Sequence, residues 1–254
     1  MLQQQTLQKL HQLKLVGMSH TLERLQQQSD FTALSFHEVF GIIVDAEVTH
    51  RDNRKQMRLL KAAKLRYPDA CVEDINYQHA RSLQRSQWLS LITCDFIRRH
   101  HHLLLTGPTG CGKTYLACAL AHQACRQGLS ARYLRMPRLF ETLRIAQADG
   151  SYPRFMNGLA KIDLIIMDDF GMDALSRADR HDLLEIVEDR QGKKSTVITA
   201  QLPVEHWHTY IDDATIADAI LDRVFHNAYK INLTGESMRE NIKTDNDVDH
   251  SRSP

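Results

Sequence analysis

Eight residues near the middle of the chain have the types and spacing of a phosphate-binding loop. From Gly107 to Thr114 the sequence reads GPTGCGKT, which matches the pattern GxxxxGK[ST]. Glycines allow the positive φ angles that point backbone N–H groups at phosphate oxygens. Lys113 supplies a cation for the β- and γ-phosphates, and the Thr114 hydroxyl is a ligand for Mg²⁺. The pattern therefore predicts binding of ATP and Mg²⁺, with the nucleotide held by Gly107, Pro108, Thr109, Gly110, Cys111, Gly112, Lys113 and Thr114.

Two adjacent acids follow an apolar run that is typical of a buried strand, in Leu164-Ile-Ile-Met-Asp168-Asp169. ATPases with a phosphate-binding loop need a carboxylate for the metal at the end of a neighbouring strand. Asp168 is predicted to hold Mg²⁺ together with Thr114, directly or through water. Asp169 is placed to orient and polarise the attacking water, whereas Asp173 is interpreted as part of the following loop.

Three further polar residues indicate hydrolysis of the nucleotide. A predicted strand ends in Thr199-Ala-Gln201, so Thr199 or Gln201 could contact the γ-phosphate or the attacking water. Arg223 lies in a helical pattern, where an isolated arginine is usually a solvated or ion-paired surface group. A γ-phosphate also commonly takes an arginine from a neighbouring subunit, which is the alternative role of Arg223.

The longest basic run lies between residues 51 and 66 and carries seven positive charges against one negative charge. On a helix, five of these cations fall on one stripe. Most charge runs are solvated helix faces, and that interpretation remains open here. The functional interpretation is DNA binding that is mainly phosphate-directed, salt-sensitive and weakly sequence-specific. The stripe consists of Arg51, Arg54, Lys55, Arg58 and Lys61.

The elements that must position these residues change in character near residue 100. Before it, helical periodicity dominates. One predicted helix ends near residue 65, and two more cover about 76–86 and 89–99. After it, strands are predicted at 101–106, 131–135, 161–167, 194–199 and 229–233, and helices between them at 114–127, from 137 to before 149, at 180–190 and at 215–225. This alternation predicts an α/β fold with a parallel sheet covered on both faces, preceded by a small all-α domain.

Four segments follow from this change in pattern. Residues 1–75 are predicted to form a helical domain that binds DNA or a partner, and residues 76–99 a helical linker. Residues 100–240 are predicted to form the ATPase domain. The polar segment 241–254 is predicted to be disordered.

Composition favours a globular protein and excludes several classes. Hydrophobic residues make up 43% of the 254 residues, and 32 Lys and Arg balance 31 Asp and Glu, so no global charge indicates nucleic acid. The five cysteines form no CxxC pair, which is typical of reduced thiols. We expect neither a signal peptide nor a membrane span, and therefore a soluble, cytoplasmic protein. The three histidines at 100–102 are interpreted as packing or surface residues and not as a metal site.

The chain resembles the IstB-like ATP-binding proteins, which are helper ATPases of a class of bacterial insertion sequences. That family is related to the DnaC and DnaI helicase loaders within the AAA+ group. The similarity extends from about Leu7 to Arg239. It is carried by the phosphate-binding loop and by Leu15-Val-Gly-Met18, Leu34-Ser-Phe-His-Glu38, Arg58-Leu-Leu-Lys-Ala-Ala-Lys-Leu-Arg-Tyr-Pro68, Asp168-Asp-Phe-Gly171, Ile198-Thr-Ala-Gln-Leu-Pro203, Asp222-Arg223 and Gly235-Glu-Ser-Met-Arg239.

The resemblance implies an AAA+ core with strand order 5-1-4-3-2 in a bacterial protein that forms homo-oligomers on double-stranded DNA and steers a partner transposase. It also implies that Gln201 is a sensor, Arg223 an arginine finger and Arg239 a second phosphate sensor, although no carboxy-terminal lid domain follows Arg239. Many AAA+ enzymes have Glu after the metal aspartate, whereas this chain has Asp169. The shorter carboxylate implies slow hydrolysis that a partner stimulates.

Two other function classes remain. A helicase loader would use the same ATPase core, with its amino-terminal helices docked on a hexameric helicase. A small-molecule kinase would need an acceptor pocket with a lid, which is not evident in the sequence, and would need neither Asp169 nor an arginine from another subunit.

Overall fold

The computed structural model describes residues 2–27, 34–77, 82–235 and 237–238, and the chain divides between Arg58 and Leu59 into two compact units. The N-terminal unit contains helices α1 (Leu2–Gln12) and α2 (Val16–Gln27) and most of α3 (Phe36–Ala63). No helix in the described ranges is long and apolar enough to cross a membrane.

Helix α3 begins at a capping box, and Ser35-Phe-His-Glu38 has the matching Ser-x-x-Glu pattern. The Ser35 backbone N–H donates to Glu38 Oε2 at 2.8 Å, and the Glu38 N–H donates to Ser35 Oγ at 3.4 Å. The helix ends at Ala63, two residues before the predicted end. Lys64 has a φ of 49°, in the left-handed region where a right-handed helix cannot continue.

Gly17 allows the start of α2 to lie directly against α3. A Cβ at this position would lie 2.6 Å from the Ala46 carbonyl oxygen, so any larger residue would force the helices apart. The buried Glu47 carboxylate accepts hydrogen bonds from the Gly17 and Met18 N–H groups at 2.8 and 3.2 Å. An acid at a helix N-terminus satisfies otherwise unpaired N–H groups and interacts well with the helix dipole. This contact gives a structural reason for Gly17 in the Leu15-Val-Gly-Met18 pattern.

The segment before the sheet differs from the prediction. Of the predicted helix at 76–86, residues 78–81 lie outside the described residues, and residues 82–84 are not helical. Helix α4 (Arg85–Ile92) and the single turn α5 (Asp95–Arg98) replace the predicted helix at 89–99. Cys94, with a φ of 60°, separates them, because one left-handed residue interrupts the helical hydrogen bonds.

Five parallel strands form the sheet of the C-terminal unit, in the order β2-β3-β4-β1-β5. This is the predicted order 5-1-4-3-2, read from the other edge. The side chains of β1 alternate between two apolar clusters, with Leu103 and Leu105 in one and Leu104 in the other, so both faces are covered. The strands are β1 (His102–Thr106), β2 (Ala131–Arg135), β3 (Leu164–Phe170), β4 (Ser195–Ala200) and β5 (Ala228–Asn232).

Within the described ranges, six α-helices lie between consecutive strands. They are α6 (Lys113–Arg126), α7 (Met136–Asp149), α8 (Tyr152–Lys161), α9 (Arg177–Arg190), α10 (Trp207–Ile211) and α11 (Ala214–Phe225). The sequence does not predict α8, whose Gly158 has a low helix propensity; burial of Met156 and Leu159 stabilises it instead. Strand β3 begins three residues later than predicted, and the Asp163 carboxylate before it accepts a 2.9 Å hydrogen bond from the Ser130 N–H.

Candidate nucleotide site

The phosphate-binding loop connects the end of β1 to the start of α6, as predicted. Gly112, in a left-handed conformation, precedes the helix, and the last two residues of the loop, Lys113 and Thr114, begin α6. At Gly110, with a φ of 85°, a Cβ would lie 2.2 Å from Ser237 Oγ, and the Met238 N–H donates to the Gly110 carbonyl at 3.1 Å. Ser237 and Met238, from the Gly-Glu-Ser-Met-Arg pattern, therefore pack on the loop.

The side chain of Lys113 is buried and points back to the first residues of the loop. Its Nζ donates to the carbonyl oxygens of Gly107 and Pro108, both at 2.7 Å. The side chain thus lies beside the α6 N-terminus, where backbone N–H groups and the helix dipole already favour an anion. A cation and a helix N-terminus at one place suit the phosphates of a nucleotide.

Asp168 brings β3 and the phosphate-binding loop together. Its side chain is fully buried, and Oδ1 accepts hydrogen bonds from Thr114 Oγ1 at 2.8 Å and from the Thr199 hydroxyl. Mg²⁺ prefers oxygen ligands, and it usually keeps several waters and takes one or two carboxylates. The paired hydroxyl and carboxylate of Thr114 and Asp168 fit this ion, and the structure places them together as the sequence predicts.

Two further residues, Tyr133 and Arg66, contact Asp168. Arg66 lies in the family pattern that ends at Pro68 and Tyr133 in none, and the sequence does not indicate a contact of either residue with Asp168. The Tyr133 hydroxyl donates to Asp168 Oδ2 at 2.5 Å, and Arg66 lies 3.7 Å from the same oxygen. Burial, and then the bond to Asp168, raises the pKa of Tyr133, so this phenol stays a neutral donor. Only the strand order, which sets β2 beside β3, could have indicated Tyr133 in advance.

Asp169 lies next to Asp168 in an unusual backbone conformation. Its φ is 63°, and the pairing of β3 with β4 shifts between Met167 and Phe170. A residue other than glycine in this region is strained by roughly 1–3 kcal/mol, and such residues concentrate at functional sites. Its N–H donates to Thr199 Oγ1 at 3.3 Å, and its Oδ2 accepts from Arg135 Nε at 2.6 Å. Arg135 is a second partner that the sequence does not indicate.

Thr199 and Gln201, at the end of β4, are the two residues predicted to contact the γ-phosphate or the attacking water. The structure places Thr199 against the two carboxylates. Thr199 is buried and hydrogen-bonds the side chain of Asp168 and the backbone of Asp169. Gln201 follows the strand and is exposed. Both positions are at the carboxyl edge of the parallel sheet, where ligands of open α/β sheets bind.

Arg223 lies on α11 and is bonded within its own chain. Its two terminal nitrogens donate to Glu188 Oε1 and to the Ala219 carbonyl oxygen, both at 2.7 Å. Among the residues that the structure describes, Arg223 has no hydrogen bond or ion pair with the phosphate-binding loop. The prediction for Arg239 falls outside the described residues.

All five residues of the basic stripe of α3 are exposed, and Arg51 also pairs with Glu47 at 2.7 Å. Within the described ranges, Arg54, Lys55 and Arg58 have no carboxylate at ion-pairing distance. Together with Lys14, Glu47, His50 and Arg51, they line an open cavity of about 380 Å³ in the N-terminal unit. Lys61 is also exposed and lies on the last turn of α3.

The solved structures that resemble this chain support the AAA+ fold. A crystal structure of DnaI matches with a TM-score of 0.58 and 21% identity, over 70% of this chain and 94% of that chain. DnaA from Aquifex aeolicus bound to AMPPCP matches with a TM-score of 0.54 and 15% identity, over 70% of this chain and 55% of that chain.

Curated relatives match nearly the whole chain. An insertion-sequence ATP-binding protein of Sinorhizobium fredii is 46% identical over 95% of this chain and 98% of its own length. The protein named as the ATP-binding protein of insertion sequence IS1162, from Pseudomonas fluorescens, is 51% identical over 80% of this chain and 88% of its own length. The family model described as "IstB-like ATP binding protein" matches residues 8–246. The chain therefore belongs to the family of IstB-like ATP-binding proteins, with an AAA+ fold.

Proposed function

We propose that this IstB-like protein is a Mg²⁺-dependent ATP hydrolase whose ATP-bound form assembles on double-stranded DNA and recruits a partner transposase. The observation that carries the ATPase proposal is the cluster around Asp168. One carboxylate there bonds the Thr114 hydroxyl at the end of the phosphate-binding loop, and the strained Asp169 lies beside it. A site that only stored nucleotide would not need a second carboxylate at this point.

Each side chain of the site has one role in the proposed hydrolysis. Lys113 and the loop N–H groups bind the β- and γ-phosphates, and Thr114 and Asp168 hold Mg²⁺, which neutralises charge on those phosphates. Thr199 and Tyr133 fix the orientation of Asp168 through hydrogen bonds. Asp169 accepts a proton from the attacking water.

Three more residues complete the proposed site. Gln201 contacts the γ-phosphate or the attacking water from the end of β4. Arg223 acts on the nucleotide of a neighbouring subunit, since its partners in its own chain are Glu188 and Ala219. Arg239 is a second phosphate sensor, supported by the contact of the adjacent Met238 with the loop at Gly110.

The DNA and transposase parts rest on different support. Relatives that share 46% and 51% identity with this chain are named for insertion sequences, and the movement of such a DNA element requires a transposase. The N-terminal unit also carries the unpaired cations Arg54, Lys55 and Arg58, which suit phosphates of double-stranded DNA without reading its sequence. We place this protein in the bacterial cytoplasm, as the sequence leads us to expect.

A helicase loader is the second candidate function, because the DnaI and DnaC structures share this fold. The two candidates differ in the protein partner and not in the ATPase site. In the loader, the amino-terminal helices would bind a replicative helicase instead of DNA and a transposase.

One experiment separates these outcomes. The purified chain is mixed with duplex DNA and ATP, ADP or no nucleotide, and its mass is measured by sedimentation. A transposase of an insertion sequence that carries this ATPase and the host replicative helicase are then offered separately. We expect large DNA-bound assemblies only with ATP, and capture of the transposase. Lys113→Ala is the matched control, because it removes the cation for the phosphates. Capture of the helicase and not the transposase contradicts the transposition role.

A further inference from the structure

A second cavity, of about 630 Å³, lies in the C-terminal unit beside the edge strand β2. It is formed by residues that follow α3, by β2 and by the first turns of α7, with Phe155 of α8. Of the described residues that line it, five are cations and none is an acid. These cations are Lys64, Arg66, Arg132, Arg135 and Arg138.

Two of the five cations are neutralised by the nucleotide-site carboxylates. Arg66 pairs with Asp168 and Arg135 with Asp169, at 3.7 and 2.6 Å. The other three have no carboxylate at ion-pairing distance among the described residues. The cavity therefore carries about three uncompensated positive charges, a count that treats each closely paired arginine as neutral.

The three unpaired cations come from three separate segments that the fold brings to one place. Lys64 follows α3 in a left-handed conformation, with a φ of 49°. Arg132 lies on β2, where one terminal nitrogen donates to the Ala62 carbonyl at the end of α3, at 2.9 Å. Arg138 is exposed in the first turn of α7. Like charges that line one cavity repel one another, and an anion bound between them would offset that repulsion.

The helix itself adds to this field. Arg138 lines the cavity in the first turn of α7, a helix of 14 residues, where its N–H has no partner within the helix, whereas Pro137 beside it carries no N–H. A helix N-terminus favours phosphate. The remaining lining includes the half-buried ring of Phe155 and the hydroxyl of Thr142. Threonine hydroxyls commonly contact the phosphate oxygens and sugars of DNA.

We propose that this cavity binds the phosphate backbone of double-stranded DNA, at a site separate from the cations of α3 in the N-terminal unit, resting on the DNA binding proposed above. Three cations from three segments match a chain of phosphates better than one isolated anion, because each cation can meet a different phosphate. An open, solvent-exposed site of this kind holds the backbone and does not read base edges.

The test uses the full chain and a fluorescent duplex of about 30 base pairs, with affinity measured over a range of salt concentrations. The variant Lys64→Gln with Arg138→Gln removes two charges and leaves Arg66 and Arg135 intact. We expect the slope of log affinity against log salt to fall by about 1.8, which is about 0.9 for each phosphate that is no longer neutralised. At low salt the affinity should fall by roughly tenfold or more.

Two comparison variants make the result specific. Lys161→Gln with Lys193→Gln removes two exposed cations elsewhere in the C-terminal unit and should leave the slope unchanged. Lys64→Arg with Arg138→Lys keeps the charges and should retain the slope of the wild type. Binding of a fluorescent ATP analogue reports that each variant is folded.

The outcomes separate this site from the DNA function as a whole. If the wild type binds duplex DNA and the Lys64→Gln, Arg138→Gln variant binds it with the same slope, the cavity is not a DNA site, and DNA binding itself stands. If the wild type does not bind duplex DNA at all, both proposals fail. The assignment is also overturned if the Lys64→Gln, Arg138→Gln variant loses affinity for single-stranded DNA but not for the duplex.

Discussion

Arg135 Nε lies 2.6 Å from Asp169 Oδ2, so the proposed base for hydrolysis is ion-paired with the last residue of β2. The hydrogen bond to Asp169 raises the pKa of Arg135 and keeps the guanidinium charged. The ion pair occupies Oδ2 of Asp169, so this oxygen can contact the attacking water only when the pair opens. Arg135 therefore competes with the attacking water for Asp169, and this effect adds to the shorter reach of Asp relative to Glu.

Arg135→Gln should raise the rate of ATP hydrolysis in the absence of DNA. A partly exposed ion pair contributes up to about 1 kcal/mol, and this energy corresponds to roughly a fivefold increase in rate. Phosphate release under saturating ATP is the measurement. Arg144→Gln, which breaks the ion pair with Asp179, is the matched control. A rate as low as that of a variant without Asp169 would show instead that Arg135 orients the base.

Asp169→Asn should keep ATP binding and stop turnover. The amide cannot accept a proton from water, and general bases typically contribute about 10²–10⁴-fold in rate. Binding is measured with a fluorescent nucleotide and turnover by phosphate release. Asp173→Asn, in the loop that follows β3, is the control and should hydrolyse ATP normally. Turnover within about a factor of two of the wild type would move the base to another residue.

The unpaired cations of α3 should set much of the salt dependence of DNA binding. The variant Arg54→Ala, Lys55→Ala, Arg58→Ala should lower the slope of log affinity against log salt by about 2.7, which is about 0.9 for each of the three cations. Affinity should weaken alike on unrelated duplex sequences, because phosphates are common to all of them. An unchanged slope would mean that these side chains face solvent only.

His102 should make the folded state sensitive to acid. Burial lowers the pKa of His102 to about 4, whereas an unfolded histidine has a pKa of about 6.5. Since the folded pKa is the lower one, this stabilisation is complete above about pH 6.5 and is lost as the pH falls towards 4. The loss amounts to about 3 kcal/mol at pH 4.

The measurement is the free energy of unfolding in denaturant at several pH values between 7 and 4. His102→Asn keeps an acceptor for the Thr196 N–H, which donates to His102 Nδ1 at 3.2 Å, but cannot titrate. Its stability should therefore vary less over this pH range than that of the wild type. His206→Gln, at an exposed position, should behave as the wild type does. Equal pH dependence of His102→Asn and the wild type would rule out this role for His102.

Local patterns predict the parts of the molecule that local chemistry determines. The phosphate-binding loop and the strand that carries Asp168 are evident because glycine spacing and apolar runs are read within a few residues. The sheet order comes from the family resemblance and is confirmed. By contrast, Tyr133 and Arg135 reach the carboxylates from a neighbouring strand, 35 and 34 residues away in the chain, and no spacing rule connects them.

The errors at element ends have the same origin. Lys64 and Cys94 end helices through left-handed conformations that residues of these types rarely adopt. Helices often end in one left-handed residue, but that residue is usually Gly, so a Lys or a Cys at this place gives no sign of the end in the sequence. Asp169 also has a left-handed conformation. At one edge of the sheet, its carboxylate pairs with Arg135, whereas the carboxylate of Asp168 accepts a hydrogen bond from Thr114.

Arg223 provides the prediction that depends on assembly. In its own chain it is ion-paired with Glu188, so a role at the nucleotide requires a neighbouring subunit. If Arg223 acts on a neighbour, the ATPase rate per chain should rise with protein concentration, and DNA should enhance the rise by gathering subunits. Arginine fingers contribute about 10³-fold or more, so the contrast is large. If the rate per chain does not depend on protein concentration, Arg223 does not act on the nucleotide of a neighbouring subunit.

Mixing two inactive variants tests the same role directly. Arg223→Ala keeps its nucleotide site and lacks the arginine, whereas Lys113→Ala lacks the site and keeps the arginine. In mixed assemblies, a Lys113→Ala subunit can supply Arg223 to the intact site of an Arg223→Ala neighbour, so activity should return at those interfaces. A mixture of Lys113→Ala with Asp169→Asn, Arg223→Ala is the control and should stay inactive, because its only intact phosphate-binding loop lacks the base. No recovery at any mixing ratio, with mixed oligomers confirmed by light scattering, would rule out the arginine finger.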